Sequence, residues 1–392
     1  MKRPMRLIML NYEYPPIGGG AGTGSKFLAE ELARQGHMVE VLTSAFANLP
    51  KRTQRLYPSG GRLRIRRLPV LRKEAGRCRP HEMCTYIFSA FWQLLRRNDF
   101  RRTDAIISFH TIPSGVPALP ISWFFGIPHI ALFRGGDVPG FLGKELRLLH
   151  TVTYPLNALI VAQCARAVAN SKGLRFMAQR AFPFKEIDVV ANGVESERFS
   201  PTSNSSGNQP NSQEPMLFFA GRMTTQKGLD VLGKALVEVR DLAWKMVLAG
   251  EGPERAKLEL FLRQNNLDHR VEFTGWQARQ KLVELYQKTS VFVFPTRYEG
   301  MPNALLEAMS SGCAVITTPV AGCVELVEHE ANGLLVPVDD SAALAKAIRR
   351  LLLNPTLAQK LGSDARHDAV SHWSWRARAQ ELEGLILSAT GQ

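Results

Sequence analysis

Cysteine is scarce in this sequence. Its 392 residues include five cysteines, at positions 78, 84, 164, 313 and 323, an odd number without the spacing of a metal-binding motif. This pattern excludes a small disulfide scaffold and a zinc-finger type of domain. We therefore expect reduced thiols and a cytoplasmic protein.

Long apolar runs are also missing. Near the N-terminus the basic residues Lys2, Arg3 and Arg6 precede only the four apolar residues Leu7–Leu10, which predicts a first β-strand and not a signal peptide. The strongly apolar stretch Met83–Leu95 has 13 residues, too few to span a bilayer. We expect no membrane-spanning segment.

Acidic residues are depleted in the first half of the chain. Residues 1–200 contain 29 Lys and Arg against 14 Asp and Glu, a net charge of +15, whereas the other 192 residues contain 20 against 21, a net charge of −1. A field of this sign attracts nucleic acid, anionic lipid or an acidic substrate. No recognised nucleic-acid-binding signature surrounds these charges, so nucleic acid is not an expected partner.

The excess charge is concentrated around the stretch Met83–Leu95. Eight Lys and Arg lie between Arg62 and Arg79 with a single acid, and four arginines (Arg96, Arg97, Arg101 and Arg102) follow the apolar stretch. Basic flanks around an apolar, aromatic helix are typical of a face that lies at an anionic membrane surface. A core helix with solvated arginines at its ends fits the same pattern, and both interpretations stay open.

Short apolar segments alternate with helical patterns along both halves. At the N-terminus, strand Met5–Leu10, a helix from Gly22 to Gln35 and strand Val39–Thr43 form a βαβ unit. The same alternation resumes at Met216, after the linker-like residues 201–215. The pattern predicts an α/β protein with two doubly wound, Rossmann-like domains, residues 1–200 and 216–372, facing a central cleft.

One stretch, Arg297-Tyr-Glu-Gly-Met-Pro-Asn-Ala-Leu-Leu-Glu307, places two glutamates around a turn. It joins a predicted buried strand, Val291–Pro295, to a predicted helix, Ala304–Ser311, with Pro302 suited to the first helical turn. The start of a helix at the open end of a parallel strand is an anion site. Glu299 and Glu307 beside it would suit a sugar nucleotide, although ordinary surface polarity explains two glutamates equally well.

Cations and glycines follow other predicted strands. Gly221 and Arg222 come directly after strand Met216–Ala220, and Lys227 precedes the next helix, a combination able to neutralise a diphosphate. Gly250-Glu-Gly-Pro253 makes a similar turn after the following strand. The turn Gly18-Gly-Gly20 would let a ligand approach the backbone closely.

Together these motifs carry a family resemblance. The chain resembles the retaining glycosyltransferases of family 4, which have the GT-B fold, through an ordered set of motifs along nearly its whole length. These are Tyr14-Pro-Pro-Ile-Gly-Gly-Gly20, Asn192-Gly-Val194, Gly221-Arg-Met-Thr-Thr-Gln-Lys-Gly228, Gly250-Glu-Gly-Pro253, the spaced pair Glu299 and Glu307, and Asn332-Gly-Leu-Leu-Val-Pro337.

The resemblance implies a role for each matching residue. Arg222, Lys227 and Glu299 would be the catalytic residues, the two cations stabilising the diphosphate as the glycosidic bond breaks and Glu299 holding hydroxyls of the transferred sugar. The reaction would retain anomeric configuration by front-face attack, without a metal or other cofactor. The remaining donor-binding residues would be Gly18, Gly19, Gly20, Gly221, Gly252, Gly300, Met301, Pro302, Asn303 and Glu307, with Glu307 on the ribose hydroxyls.

The loop after the predicted strand Pro128–Phe133 departs from the family pattern. It reads Arg134-Gly-Gly-Asp137, with arginine where the family has histidine, and arginine cannot reproduce the acid–base behaviour of histidine at neutral pH. His110, after the preceding strand, is a candidate substitute, although a lone loop histidine is also commonly structural. His110, Arg134 and Asp137 are therefore the acceptor-side candidates.

The expected partners are a UDP-, GDP- or ADP-sugar donor and a glycan or lipid-linked acceptor, with peripheral contact at the inner face of an anionic membrane. The C-terminal residues 373–392 look like the family's terminal helix, which packs back on the first domain, but an amphipathic end helix fits them as well. We expect Glu299→Ala and Lys227→Ala to abolish transfer while the fold stays intact. The alternatives are a non-catalytic GT-B-like binding protein and, more remotely, a basic nucleic-acid binder.

Overall fold

The chain folds into two compact units. The computed structural model describes residues 3–74, 78–97, 100–141, 147–202 and 214–391. One unit comprises Met1–Asn192 with Trp375–Gln392, and the other Gly193–Ser374. The first unit thus ends before residue 200, the boundary expected from composition, and most of the expected linker, residues 203–213, lies outside the described residues.

Residues 193–200 belong with the second unit because they bond and pack there. The backbone N–H of Val194 donates to the carbonyl of Trp373, and the Ser310 hydroxyl donates to the carbonyl of Phe199. The Phe199 ring packs edge-on against Tyr286. These contacts carry no compositional signal, which is why composition placed the boundary later.

In the described part of the first unit, eight strands form one sheet in the order β3-β4-β2-β1-β5-β6-β7-β8. Neighbouring strands are parallel, except that β3 and β4 are antiparallel. The strands are β1 Arg6–Leu10, β2 Met38–Ser44, β3 Arg52–Leu56, β4 Arg62–Leu68, β5 Ala105–Phe109, β6 His129–Leu132, β7 Arg166–Ala169 and β8 Ile187–Val189.

Helices cover both faces of this sheet. Because successive strand residues point to opposite faces, Leu7 and Met9 of β1 share a core with Phe27, while Ile8 and Leu10 share another with Tyr86. Phe27 lies on α1, on one face, and Tyr86 lies on α2, on the other. The first five helices are α1 Gly20–Arg34, α2 Pro80–Leu95, α3 Val116–Phe125, α4 Arg147–Gln163 and α5 Lys172–Ala181.

The second unit has a sheet of six parallel strands in the order β11-β10-β9-β12-β13-β14, within its described residues. Its strands are β9 Met216–Ala220, β10 Lys245–Ala249, β11 Val271–Gly275, β12 Val291–Phe294, β13 Ala314–Thr317 and β14 Leu334–Leu335. Its helices are α6 Leu229–Glu238, α7 Arg255–Gln264, α8 Arg279–Lys288, α9 Asn303–Ser310, α10 Ser341–Leu353 and α11 Pro355–His372.

The last helix, α12 Trp375–Thr390, belongs to the first unit. Trp375 stacks on Phe27 of α1 with the ring centroids 5.4 Å apart. Oε1 of Glu383 lies 3.3 Å from Nε2 of His37, and both side chains are buried. The C-terminal helix therefore packs on α1 through its aromatic start, and its buried Glu383 contacts His37 just before β2.

The strand order sets where a ligand can bind. In each sheet the chain starts in the middle, builds outward in one direction and then returns to build in the other, with the reversal between β1 and β5 and between β9 and β12. Ligands of doubly wound sheets bind beyond the carboxyl ends of the strands at such a reversal. The predicted α/β class with two doubly wound domains is confirmed. The candidate residues follow these four strands, except that Arg134 and Asp137 follow β6 and Gly252 follows β10.

Candidate functional site

Lys227 and Glu299 form a buried ion pair. Lys227 lies between β9 and α6, and Glu299 lies between β12 and α9, so the strand reversal brings them together. Nζ of Lys227 contacts Oε1 of Glu299, and the two residues are only 9% and 8% exposed. The Thr296 hydroxyl donates to the same carboxylate oxygen at 3.2 Å. Both charged residues were predicted from the sequence, whereas Thr296, which immediately precedes the stretch Arg297–Glu307, was not.

The two loops that carry this pair are fastened to each other. The carbonyl of Gln226 accepts hydrogen bonds from the backbone N–H of Arg297 at 2.8 Å and from the Thr296 hydroxyl at 3.1 Å. The side-chain amide of Gln226 donates to the carbonyl of Tyr298 at 2.6 Å. The position of Lys227 relative to Glu299 is therefore set by hydrogen bonds to main-chain carbonyls, and neither the Lys227 nor the Glu299 side chain takes part in them.

Arg222 differs from Lys227 in being exposed. It follows Gly221, whose φ of +156° lies in the region that favours glycine, at the carboxyl end of β9. Within the described ranges, its guanidinium group has no ion pair or side-chain hydrogen bond. The cation is thus available to a ligand at the same edge of the sheet as the buried pair.

Close backbone contact holds the turns after β9 and β10 together. The N–H of Gly221 donates to the carbonyl of Ala249, and that of Met223 to the carbonyl of Glu251. A Cβ on Gly250 would lie 1.9 Å from the carbonyl oxygen of Gly221, and φ at Gly250 is +146°. Only glycine permits this approach, which aligns the Gly221–Arg222 turn with the turn that contains Gly252.

Glu307 occupies a separate polar pocket on α9. It is 8% exposed, its Oε2 accepts a hydrogen bond from the Tyr286 hydroxyl at 3.3 Å, and its Oε1 lies 3.4 Å from Nη1 of Arg279. Arg279 also binds Glu195, at 2.6 Å. Burial raises the pKa of Glu307, against the opposing effect of Arg279. Tyr286, Arg279 and Glu195 had not been identified from the sequence.

The start of α9 lies beside Glu299 in the chain. The helix begins at Asn303, and Pro302 is the residue before it, with φ −78° and ψ 108°, so the prediction that Pro302 lies in the first helical turn is wrong by one position. Pro302, with its extended ψ, therefore joins the loop Gly300–Met301 to the first residue of the helix. The first-turn N–H groups of α9 have no acceptor within the helix and give this edge a positive potential.

The acceptor-side candidates meet in the first unit. Nδ1 of His110 lies 3.8 Å from Oδ1 of Asp137, and the Asp137 carboxylate accepts hydrogen bonds from the backbone N–H groups of Thr111, Arg134 and Gly135 at 2.9 to 3.2 Å. Burial alone would raise the pKa of Asp137, but the interaction with His110 and the hydrogen bonds from these amides outweigh it and lower the pKa. Asp137 is thus held as a carboxylate.

Arg134 turns its guanidinium group elsewhere. Nη1 donates to Oδ1 of Asn192 at 2.9 Å, and the group lies 4.6 Å from the centre of the Phe109 ring. Burial lowers its pKa to about 10. Arg134 therefore remains a cation at neutral pH, on the same edge of the sheet as His110 and Asp137.

The glycine turn after β1 is shaped by Glu13. Gly18 has φ +89°, the N–H of Gly19 donates to Oε2 of Glu13 at 3.3 Å, and Gly20 begins α1. The first unit thus collects Gly18–Gly20, His110, Arg134 and Asp137 at the carboxyl edge of its sheet. The second unit collects Arg222, Lys227, Glu299 and Glu307 with their neighbouring backbone at the corresponding edge of its own.

Possible metal ligands do not gather in the described residues. Across these ranges, no group of three or more His, Cys, Asp and Glu side chains could hold a metal ion. All five cysteines are free thiols. None of the helices in this part of the chain is both long and apolar enough to cross a membrane.

Two doubly wound units with charged residues at their strand-reversal edges define a protein of the GT-B class of glycosyltransferases. A family model described as "Glycosyltransferase Family 4" matches residues 18–198, and one described as "Glycosyl transferases group 1" matches residues 214–354. The two models together span most of the chain, which belongs to the group 1 glycosyltransferases. The predicted enzyme class is confirmed.

Relatives and solved structures agree with this assignment. An uncharacterized glycosyltransferase of Methanocaldococcus jannaschii is 26% identical over 96% of both chains. Sucrose-phosphate synthase from Thermosynechococcus elongatus has a TM-score of 0.84 at 22% identity, over 99% of both chains. Anabaena HepE, solved in complex with UDP and glucose, has a TM-score of 0.75 at 18% identity, over 98% of this chain and all of that one. At these identities the solved structures establish the GT-B fold.

Proposed function

We propose that this glycosyltransferase moves a sugar from a nucleoside diphosphate sugar to a hydroxyl acceptor with retention of configuration. The observation that carries the proposal is the buried Lys227–Glu299 pair beside the exposed Arg222, at the strand reversal of the second unit. This arrangement combines two cations for a diphosphate with a carboxylate for sugar hydroxyls.

Each residue has a separate chemical task in this proposal. As the bond between the anomeric carbon and the phosphate oxygen breaks, negative charge grows on the leaving diphosphate, and Arg222, Lys227 and the start of α9 stabilise it. Glu299, already fixed by Lys227 and Thr296, accepts hydrogen bonds from hydroxyls of the transferred sugar. The two cations supply the charge that a divalent metal supplies elsewhere, so the reaction is metal-independent.

Retention follows from front-face attack. The acceptor hydroxyl approaches on the side from which the diphosphate leaves, and a leaving phosphate oxygen takes its proton. Glu299 then needs no nucleophilic role, which agrees with its engagement by an ammonium and a hydroxyl donor. Glu307 binds the ribose hydroxyls, with Arg279 and Tyr286 fixing its two oxygens.

The donor nucleotide is uridine diphosphate, guanosine diphosphate or adenosine diphosphate. The similarity in fold to HepE, which was solved with UDP and glucose, supports a UDP-sugar as the first to test. The first unit takes the acceptor, a glycan or a lipid-linked saccharide, with His110 oriented by Asp137 in place of the family's histidine. The protein works in the cytoplasm at the inner face of the membrane.

A thermal-shift series tests the donor site. Binding of ligand to the native state at about 100 times its Kd adds about 2.7 kcal/mol of stability, which gives a clear rise in Tm. We expect one of UDP, GDP or ADP and its sugars to raise Tm, and Arg222→Ala to reduce the rise. Arg263→Ala, an exposed arginine on α7, is the matched control. No rise with any of these nucleotides would refute the proposal.

The alternatives make different predictions in the same series. A non-catalytic GT-B-like binding protein would show the rise in Tm but release no nucleoside diphosphate from the sugar nucleotide. A basic nucleic-acid binder would show no rise but would shift labelled nucleic acid in a gel at moderate salt.

A further inference from the structure

Large apolar side chains are exposed in an uneven pattern. The described residues include 22 exposed large apolar side chains, and 12 of them lie on α2, α3 and α4 of the first unit. We call these 12 the helical face. They are Phe88, Trp92, Leu95, Trp123, Phe124, Phe125, Leu148, Leu149, Val152, Tyr154, Leu156 and Leu159.

The helical face lies on one side of the sheet. Packing beneath it places Tyr86 of α2 and Ala118 of α3 in one core with Ile106, and Val161 of α4 in a core with Ala131. In the paired strands β5 and β6, Ile106 lies opposite His129, two residues from Ala131, so all three helices cover the same side. Their outward surfaces therefore belong to one layer.

Helices α3 and α4 are apolar on their solvent side. Trp123 and Phe124 are 78% and 79% exposed at the end of α3, and Leu148 and Val152 are 79% and 71% exposed on α4. Residues 116–125 and 148–163 contain no Lys, Arg, Asp or Glu. A helix on the surface of a protein in water normally presents charged and polar residues outward, so these two helices are unusual.

Helix α2 has features of both interpretations of Met83–Leu95, one on each side of the helix. Tyr86, Ala90 and Leu94 are buried in the core, whereas Phe88 is 72% and Trp92 49% exposed. The core-helix interpretation describes the inner side. The outer side exposes the aromatic residues that the membrane interpretation requires, and the arginines flank the helix, since α2 itself contains no Lys or Arg.

Positive charge borders the helical face. The guanidinium group of Arg96 lies 4.9 Å from the centre of the Trp92 ring. Just beyond the end of α2, Arg97 and Arg66 share the single carboxylate of Glu40, at 2.6 and 3.3 Å. Arg66 has a pKa lowered by burial, with Arg52, Arg97 and Arg64 acting in the same direction. Two arginines and one glutamate thus meet at this end of the face in the described part of the chain.

We propose that the helical face docks the protein on an anionic lipid bilayer, with Trp123 and Phe124 inserted into the interfacial region. Aromatic side chains and arginines are the residues that favour this region, and basic residues next to it add attraction to anionic lipid. A second copy of this chain is a poor occupant, because pairing through this face would bring two arginine-bordered surfaces together.

The docking surface deepens the proposed transferase function, and the nature of the acceptor rests on that function. Helix α4 is bonded to the loop that carries Asp137: Nδ2 of Asn157 donates to the carbonyl of Asp137 at 2.8 Å, and Nε2 of His150 lies 3.0 Å from the carbonyl oxygen of Gly136. The apolar surface therefore adjoins the acceptor-side loop. The acceptor is accordingly a lipid-linked hydroxyl compound held in the membrane.

Vesicle flotation tests the docking surface. We expect the full chain to float with vesicles of phosphatidylcholine and phosphatidylglycerol, much less with phosphatidylcholine alone, and less at high salt. Replacing two inserted aromatic side chains by glutamate, in W123E/F124E, should lower the partition coefficient at least ~10-fold. The matched control, L260E/L353E, changes two exposed leucines of the second unit and should float like the wild type.

Tryptophan quenching gives a second measurement with a conservative variant. Brominated lipids should quench the emission of the wild type, and Trp123→Phe should lose part of that quenching while it still floats. Absence of flotation with the anionic vesicles, unchanged flotation of W123E/F124E, or self-association in sedimentation that this variant abolishes would each overturn the docking proposal.

The result of the vesicle experiments can be distinguished from the result of the thermal-shift test of the donor site. If the vesicles do not bind but the nucleotide still raises Tm, only the docking proposal falls. If vesicles bind but no nucleotide raises Tm, the transferase proposal falls and the membrane surface remains.

Discussion

Breaking the Lys227–Glu299 pair should cost stability as well as activity. Both residues are about nine-tenths buried, so removing one partner leaves the other charge with few ways to be solvated. Removing one member of a buried ion pair typically costs about 3–5 kcal/mol. In Lys227→Met the Thr296 hydroxyl still donates to Glu299, so we expect the lower end, ~3 kcal/mol.

The partner substitution should be milder. Glu299→Gln keeps an oxygen that accepts from Thr296, and it leaves the Lys227 ammonium 4.8 Å from the centre of the Phe294 ring. A cation over an aromatic ring retains about 0.5–2 kcal/mol of attraction. We therefore expect a loss of ~2 kcal/mol for Glu299→Gln, and a double variant that is more stable than the sum of the two losses implies, by about 1–3 kcal/mol.

Urea unfolding of the wild type, both single variants and the double variant measures this coupling. Circular dichroism and tryptophan emission should be followed together. If the two single losses add to the double loss within about 0.5 kcal/mol, the charges do not interact in the native state and the reasoning is refuted. We therefore expect alanine at either position to leave the fold intact, as the sequence predicts, but with a smaller free energy of unfolding.

Three further predictions concern single positions. Burial raises the pKa of Glu307, so its contribution to stability is greatest below the ordinary glutamate pKa and declines as pH rises through the raised value. Glu307→Gln should remove this decline in urea titrations across pH. An unchanged decline in the variant would contradict the prediction. The pKa of Asp137 is lowered, so its contribution is present above the ordinary aspartate pKa and is lost as pH falls through the lowered value. Asp137→Asn should cost about 1–3 kcal/mol at neutral pH and converge with the wild type in acid; equal stability at neutral pH would show that its hydrogen bonds are dispensable. Gly250→Ala should lower the free energy of unfolding by more than about 2 kcal/mol, because its Cβ would meet the Gly221 carbonyl. Gly384→Ala on α12, with open space around it, should be neutral or gain up to about 1 kcal/mol in the same thermal denaturation series. Similar changes in Tm for the two variants would refute the contact argument.

Much of the fold could be predicted because periodicity is local. The alternation predicted from Met216 onward includes the helices α8 and α10, since each helix has a clear apolar face and a cap or turn at its ends. The pair β3 and β4 was missed. In β4 the residues Leu63 and Ile65 alternate with arginines, and the excess of charge concealed the period of two.

The candidate site, like the fold, could be predicted from the sequence only where the signal is local. Motif spacing located Lys227 and Glu299, but their pairing joins residues 72 positions apart and depends on the strand reversal. The contact of Arg279 with Glu195 joins residues 84 positions apart, and neither residue lies in a motif that names its partner. Only part of the helical face could be predicted from the sequence. The apolar stretch Met83–Leu95 with its basic flanks indicated a surface helix, whereas the exposure of α3 and α4 is a property of the packed structure.

The most direct test of the proposed chemistry is the turnover of Arg222→Ala. This side chain is exposed and, in the described residues, unpaired, so its removal should leave Tm unchanged and report on the reaction alone. The measurement is release of nucleoside diphosphate from the sugar nucleotide selected by thermal shift, with Arg263→Ala as control. We expect a fall in kcat of about 100-fold or more for Arg222→Ala and none for the control. Wild-type turnover in Arg222→Ala would contradict the assignment of the diphosphate to this edge of the second unit.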